Sequence, residues 1–244
     1  MEINKVVILG DEESGAKIQD LLSEVELKGI MPDLKGDYSQ ELSDADMILE
    51  NLPGDMELKK EILRKCSKKA PQKTIFATTA SWGITELAAA AERRQNFIGL
   101  NFTCNPFTMK YLVQITKGFE TSEETITTCR ELVDKVGATS VVLEDSPGLV
   151  LDRGLAVAIN EAALVHISCS VSIEDIDKAM KLFTNWPMGP FEFADTIGVD
   201  KVVDTLEILS QQIGSQYSPC RLLRYMVASG RLGKKTGRGF YTYS

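Results

Sequence analysis

Short β-branched runs alternate with longer stretches of helical period through the first part of the chain. Lys5–Leu9 (KVVIL) predicts a strand ending at Gly10, and Ser14–Leu22 predicts a helix with Ala16, Ile18, Leu21 and Leu22 as its apolar positions. Lys28–Met31 is a short second strand, and 44–60 contains a strand, a proline loop and a helix. Further strands fall on Lys73–Ala77, Asn96–Leu100 and Tyr111–Val113, with a helix over Thr85–Arg93. Glu120–Val136 predicts a helix with Thr121 or Ser122 as its cap, and Ser140–Leu143 is the last strand. Pro147 and Gly148 then break the chain. Beyond them everything is helical, including Gly154–Ser168 and Ile173–Leu182, the second capped by Ser172. The expectation is an α/β domain over residues 1–145 followed by an all-α domain over residues 146–244.

Composition narrows the class. With 244 residues, 43% apolar and 25% charged, the chain is an ordinary globular one. No apolar run approaches the ~18 residues that span a bilayer, and the N-terminus enters a strand directly, so neither a membrane nor a signal peptide is expected. Five cysteines, odd in number and without a CxxC pair, point to a reduced, cytoplasmic protein. A net charge of −8 argues against nucleic acid as a partner. The one histidine, His166, lies in a mostly apolar helix and reads as a satisfied core or interface residue. One histidine and scattered cysteines make no zinc site.

The first strand, its glycine turn and the following helix form the opening of a dinucleotide-binding unit, so the α/β domain is expected to be Rossmann-type. In the fingerprint GxGxxG, Gly10 and Gly15 supply the first and third glycines, while Glu12 replaces the second. Asp33, after the second strand, suits the acid that binds an adenosine ribose. A carboxylate at Glu12 opposes a pyrophosphate there: at an effective dielectric of ~20, two unit charges ~5 Å apart repel by ~3 kcal/mol. NAD binding is accordingly expected to be weakened by roughly two orders of magnitude.

Several longer stretches carry a resemblance. Gly99–Gln114 (GLNFTCNPFTMKYLVQ), Asp44–Lys60, Thr78–Glu86, Asp145–Arg153 (DSPGLVLDR), Trp186–Asp200 and Leu222–Tyr241 resemble the 3-hydroxyacyl-CoA dehydrogenase family. The likeness runs from Lys5 to Tyr243, apart from a shortened piece at Leu34–Ser43. It implies NAD as cofactor, an acyl-CoA ester as substrate, and a dimer built through the C-terminal helices. It also implies the site positions. The family's catalytic His falls on Asn101 (or on Phe102, since one extra residue precedes Asn105), and the Glu that orients it falls on Gln114. The substrate-contacting serine corresponds to Ala80, with Ser81 one place on, and the substrate-contacting asparagine to Asp152. The acid near the nicotinamide falls on Gly54, while Glu50, Lys59 and Asn105 keep the pattern on the cofactor side.

An amide holds a carbonyl by hydrogen bonds but takes up no proton near pH 7. The expectation is therefore a non-catalytic relative that binds an acyl-CoA or serves as a subunit, as a homodimer or as a heteromer with an active relative. Two alternatives stay open. One is an active NAD-dependent oxidoreductase with Asp152 or Glu50 as replacement base; the other is an enzyme on CoA thioesters that uses no nicotinamide. Lys234, Lys235 and Arg238 form the one dense basic cluster, suited to a phosphate or to a solvated turn.

Overall fold

The structure, a computed structural model, describes residues 2–10, 12–33, 36–53, 56–104 and 110–243, the side chains of 12–14 excepted. The chain divides into two compact units, Met1–Ser146 and Pro147–Ser244.

The first unit runs β1 (Lys5–Gly10), α1 (Glu12–Ser23), β2 (Lys28–Ile30), α2 (Ser39–Leu42), β3 (Met47–Asn51), α3 (Met56–Ser67), β4 (Ile75–Thr78) and α4 (Ile84–Ala90). β5 (Phe97–Cys104), β6 (Tyr111–Lys117), α5 (Glu123–Lys135) and β7 (Thr139–Glu144) complete it. The strands form one seven-stranded sheet in the order β2-β1-β3-β4-β5-β6-β7. β1 to β5 are mutually parallel, β6 turns back antiparallel to β5, and β7 follows β6 in parallel. Val6, Val7, Ile8 and Leu9 are all buried, so β1 has no solvent face. A parallel strand covered on both sides needs such an unbroken apolar run. One face of the sheet packs Val6, Ile8, Leu49, Ile98 and Leu100 against Ile18, Leu21 and Leu22 of α1 and Ile126 and Leu132 of α5. The other packs Val7, Leu9, Ile48, Phe76 and Phe97 against Leu63 of α3 and Leu87 of α4.

β5 extends past the expected Leu100 to Cys104, because Phe102 continues the packing side of Ile98 and Leu100 while its backbone pairs with Val113. Ser122, rather than Thr121, caps α5: its hydroxyl accepts from the Thr125 N–H at 3.2 Å. α4 starts at Gly83, which has φ 75° and no side chain to cap with. Asp145, beyond β7, takes over by accepting from the N–H groups of Gly83 (3.1 Å) and Thr85 (2.8 Å).

The second unit is helical: α6 (Leu151–Cys169), α7 (Ile173–Thr184), α8 (Pro190–Ile197), α9 (Val199–Gln212) and α10 (Arg221–Ala228). Ser172 caps α7 as expected, accepting from Asp175 N–H at 3.1 Å. α6 starts three residues before the expected Gly154, which places Asp152 in its first turn. The glycine- and aromatic-rich stretches around α8 and the C-terminal tail converge on two buried carboxylates. Asp195 accepts from the backbone N–H of Phe240 (2.9 Å) and Tyr241 (2.8 Å) and from the Tyr243 hydroxyl (3.0 Å). A Cβ at Gly239 would lie 1.9 Å from Asp195 Oδ1, so only glycine fits there. Asp177 accepts in the same way from Phe191 N–H (2.9 Å), Glu192 N–H (3.0 Å) and the Tyr241 hydroxyl (2.8 Å).

Removing a buried acceptor leaves its donors unpaired, at about 1–3 kcal/mol each. Asp195→Ala is therefore expected to lower stability by about 3–5 kcal/mol and Tyr243→Phe by about 1 kcal/mol. Urea denaturation measures both; equal losses in the two variants would overturn the assignment.

Candidate functional site

Open α/β sheets bind ligands outside the carboxyl ends of their strands, where the strand order reverses. Here the order reverses between β1 and β3, with Gly10 and Asn51 paired at their ends. A Cβ on Gly10 would sit 2.2 Å from the Asn51 carbonyl oxygen. One on Gly15 would sit 2.6 Å from Met31 Cε and 3.5 Å from Ile8 Cγ2, where α1 crosses β1. Gly10 is thus demanded by the approach of the Asn51 backbone, in the tight-turn role of the dinucleotide fingerprint, whereas a side chain at Gly15 would displace the end of Met31 where α1 packs on β1. Glu12 is the first residue of α1, and its side chain lies outside the described residues. Asp33 is exposed just past β2. This strand–turn–helix frame fits a dinucleotide; the residues beyond it that touch the cofactor decide how well.

At the end of β3, Glu50 is fully buried. Its Oε1 accepts from Lys59 Nζ at 2.7 Å and from the Leu52 N–H at 2.6 Å, and its Oε2 accepts from the Thr78 hydroxyl at 2.5 Å. Lys59, near the start of α3, also donates to the Leu52 carbonyl at 2.6 Å and is itself buried. With both oxygens engaged, Glu50 serves the fold as a buried, fully bonded carboxylate, which argues against it as a replacement base. Lys59 holds the loop after β3 from beneath.

One residue further along the same strands lies a polar row that sequence reasoning missed in part. The Thr79 hydroxyl donates to Asn51 Oδ1 at 2.9 Å, and Asn101 Nδ2 donates to the Thr79 carbonyl at 3.1 Å. Asn101 is the cross-strand partner of Gln114, which is fully buried on β6. Phe102 packs toward the core on the opposite face of β5, while Asn101 lies opposite Gln114 across the strands. Asn51 and Thr79 were legible only as strand ends, since nothing local signals that their side chains meet. Ala80 and Ser81 sit partly buried in the loop after β4, where the Ala80 N–H donates to the Thr78 hydroxyl at 3.0 Å. Asn105 and Gly54 lie outside the described residues.

Asp152 belongs to the second unit. Burial pushes its carboxyl above the ordinary aspartate range, with Lys201 pulling the other way. His166 places its Nδ1 2.7 Å from the Val171 carbonyl oxygen and its ring edge-on to Phe191, so it is a packed residue of that unit. In the basic cluster, Lys235 pairs with Asp200 at 2.5 Å and Lys234 lies over the Tyr243 ring. Among the described residues no group of His, Cys, Asp and Glu could hold a metal ion. No helix there is long and apolar enough to cross a membrane.

Two family models match the chain: the NAD binding domain of 3-hydroxyacyl-CoA dehydrogenase at residues 12–146, and its C-terminal domain at residues 148–243. The chain is 42% identical over 206 residues to a probable 3-hydroxybutyryl-CoA dehydrogenase of Bacillus subtilis, covering 84% of this chain and 71% of that one. It is 36% identical over 222 residues to a 3-hydroxybutyryl-CoA dehydrogenase of Bradyrhizobium diazoefficiens, covering 90% and 75%. Among solved structures, an (S)-3-hydroxybutyryl-CoA dehydrogenase from Ralstonia eutropha superposes with a TM-score of 0.86 at 29% identity, with all of both chains covered.

The raised Asp152 carboxyl yields a pH-dependent prediction. Its folded pKa lies above its unfolded one, so the native state binds the proton more tightly and the ionised form weakens the fold. The contribution is fully present below the unfolded value of about 3.9 and is lost as pH rises through the folded value. Asp152→Asn is expected to raise stability at pH 7 and to change nothing below about pH 3.9. Thermal unfolding across pH checks this, and a variant less stable than wild type at pH 7 would contradict it.

Proposed function

The chain belongs to the 3-hydroxyacyl-CoA dehydrogenase family, and from that premise we propose that it is an oxidoreductase of 3-hydroxyacyl-CoA-type esters working through a variant site. The observation that supports it is the likeness of most of this chain to 3-hydroxybutyryl-CoA dehydrogenases, with Asn101, held by the Thr79 carbonyl, as the amide that can orient a substrate oxygen. NAD, when bound, supplies the hydride acceptor for the substrate C3–H. Asn101 orients the C3 oxygen through its amide, and the hydroxyl proton passes to a carboxylate. Asp152 is the candidate for that carboxylate in this reading: burial holds its carboxyl above the ordinary aspartate range, which makes it a stronger base than a solvated aspartate. Glu12 opposes the pyrophosphate, so the cofactor binds weakly rather than not at all. The likeness to bacterial 3-hydroxybutyryl-CoA dehydrogenases, which match most of this chain, favours an enzyme over the non-catalytic protein expected from the substitutions alone.

A second reading, an acyl-CoA-binding subunit without turnover, is favoured by one observation. The base position is an amide whose Nδ2 already donates to the Thr79 carbonyl. Both readings include assembly as a homodimer or as a heteromer with an active relative through the second unit, where Phe183 on α7 is 93% exposed and Leu182 is 78% exposed.

Turnover of 3-hydroxybutyryl-CoA with NAD separates the two. The first reading expects slow, saturable NADH formation, about 10²–10⁴ below a histidine-equipped relative. Asp152→Asn should abolish it, and Asn101→His with Gln114→Glu should raise it more than either change alone. Background-level turnover by the wild type, with retained acyl-CoA binding, would leave the second reading.

A separate measurement concerns the cofactor. Glu12→Gly removes one carboxylate and should tighten NAD binding by about tenfold to a hundredfold in a fluorescence titration. Micromolar binding by the wild type would show that Glu12 turns away from the pyrophosphate.

A further inference from the structure

A cavity of about 390 Å³ lies among the end of α3, the segment leading into β4, and the end of α4. These elements approach the amino ends of β4 and β5, the sheet edge opposite the candidate site. Arg64, Ser67, Lys68, Gln72, Glu92 and Arg93 line it. Three cations thus face one carboxylate in a chain whose net charge is −8.

Arg93 is the centre of this arrangement. Glu92 adopts a left-handed conformation (φ 54°) after α4, and the chain reversal there brings Arg93 under the end of α3. The guanidinium is buried, 8% exposed, and stacks at 5.9 Å from the Phe76 ring. Its Nη2 donates to the carbonyls of Ser67 (2.9 Å) and Ala70 (3.2 Å), and its Nη1 donates to Gln72 Oε1. All of these acceptors are neutral, and Nε has no partner. Buried charges are ordinarily paired with opposite charge.

The neighbours of these three cations are treated differently by the fold. Lys65, Lys69 and Arg94 pair with Glu61, Asp37 and Glu120. Among the described residues, Arg64, Lys68 and Arg93 form no salt bridge. Three cations without a salt bridge, two from the end of α3 and one from the turn after α4, converge on one cavity of a size that holds a small ligand. A helix-end staple would need only Arg93.

We propose that this cavity binds a small dianionic phosphate group, either free or as the ester of a small metabolite, between the Arg93 guanidinium and the side chains of Arg64 and Lys68. Two charges balance the excess of three cations over Glu92. Phosphate oxygens also accept from several donors at once, which a single carboxylate does less well.

The test is a titration of the full-length chain with inorganic phosphate, followed through the Arg93 Nε–H signal in a ¹H–¹⁵N spectrum and assigned by its loss in Arg93→Lys. The signal is expected to shift saturably with phosphate and not with sodium chloride at matched ionic strength. Arg64→Ala combined with Lys68→Ala changes two exposed side chains, and should weaken the phosphate affinity by about tenfold or more. No saturable shift, an equal shift with chloride, saturation by acetate as tight as by phosphate, or unchanged affinity in the double variant would each overturn the proposal.

Discussion

Burying a carboxylate at the tip of a central strand is costly unless every lone pair finds a donor. Glu50 meets that requirement by drawing in three separate pieces of the chain: the ammonium of Lys59 from α3, the N–H of Leu52 from the loop after β3, and the hydroxyl of Thr78 from β4. Its backbone carbonyl accepts from the Thr79 N–H at 2.9 Å as well. The edge of the sheet is therefore set by one charge. Thr79 can hold Asn51 on one side and Asn101 on the other only because its own strand end is pinned against Glu50. Loss of either ionic partner leaves a charge stranded in the core and loosens the platform on which the amide row stands.

The two units divide what the family requires. In the second, the C-terminal tail brings the backbone N–H groups of Phe240 and Tyr241 onto Asp195 and the Tyr241 hydroxyl onto Asp177. The start of α8 gives Asp177 the N–H groups of Phe191 and Glu192, and no ligand is needed to explain these contacts. In the first, Gly10 is likewise demanded by the approach of the Asn51 backbone. Packing therefore preserves that glycine whether or not a nucleotide binds, so its presence reports the fold rather than the cofactor.

Much of the frame was legible in the sequence because its causes are local. Lys5–Leu9 is an unbroken apolar run, Ser122 and Ser172 sit where a helix needs a cap, and Pro147-Gly148 interrupts the pattern between the units. What escaped depends on distance along the chain. The pairing of Asn101 with Gln114 across β5 and β6, and the packing of Phe102 on the other face, depend on a strand register that no local window of sequence states. Glu50 and Lys59 were visible as family positions, but not that each satisfies the other. The capping of α4 by Asp145 joins residues 62 positions apart at Gly83, and no window of sequence contains it.

The Asp195 carboxylate carries a temporal consequence. Its acceptor sites are filled by groups 45 to 48 positions downstream, at Phe240, Tyr241 and Tyr243. While a ribosome is still emitting that tail, α8 holds a carboxylate that has no reason to leave water. The helical unit thus cannot close its interior progressively as it emerges; closure waits for the last strand of donors, and the search for them spans half of that unit. Until then the apolar side of α8, with Phe191 and Ala194, stays open to chaperones and proteases.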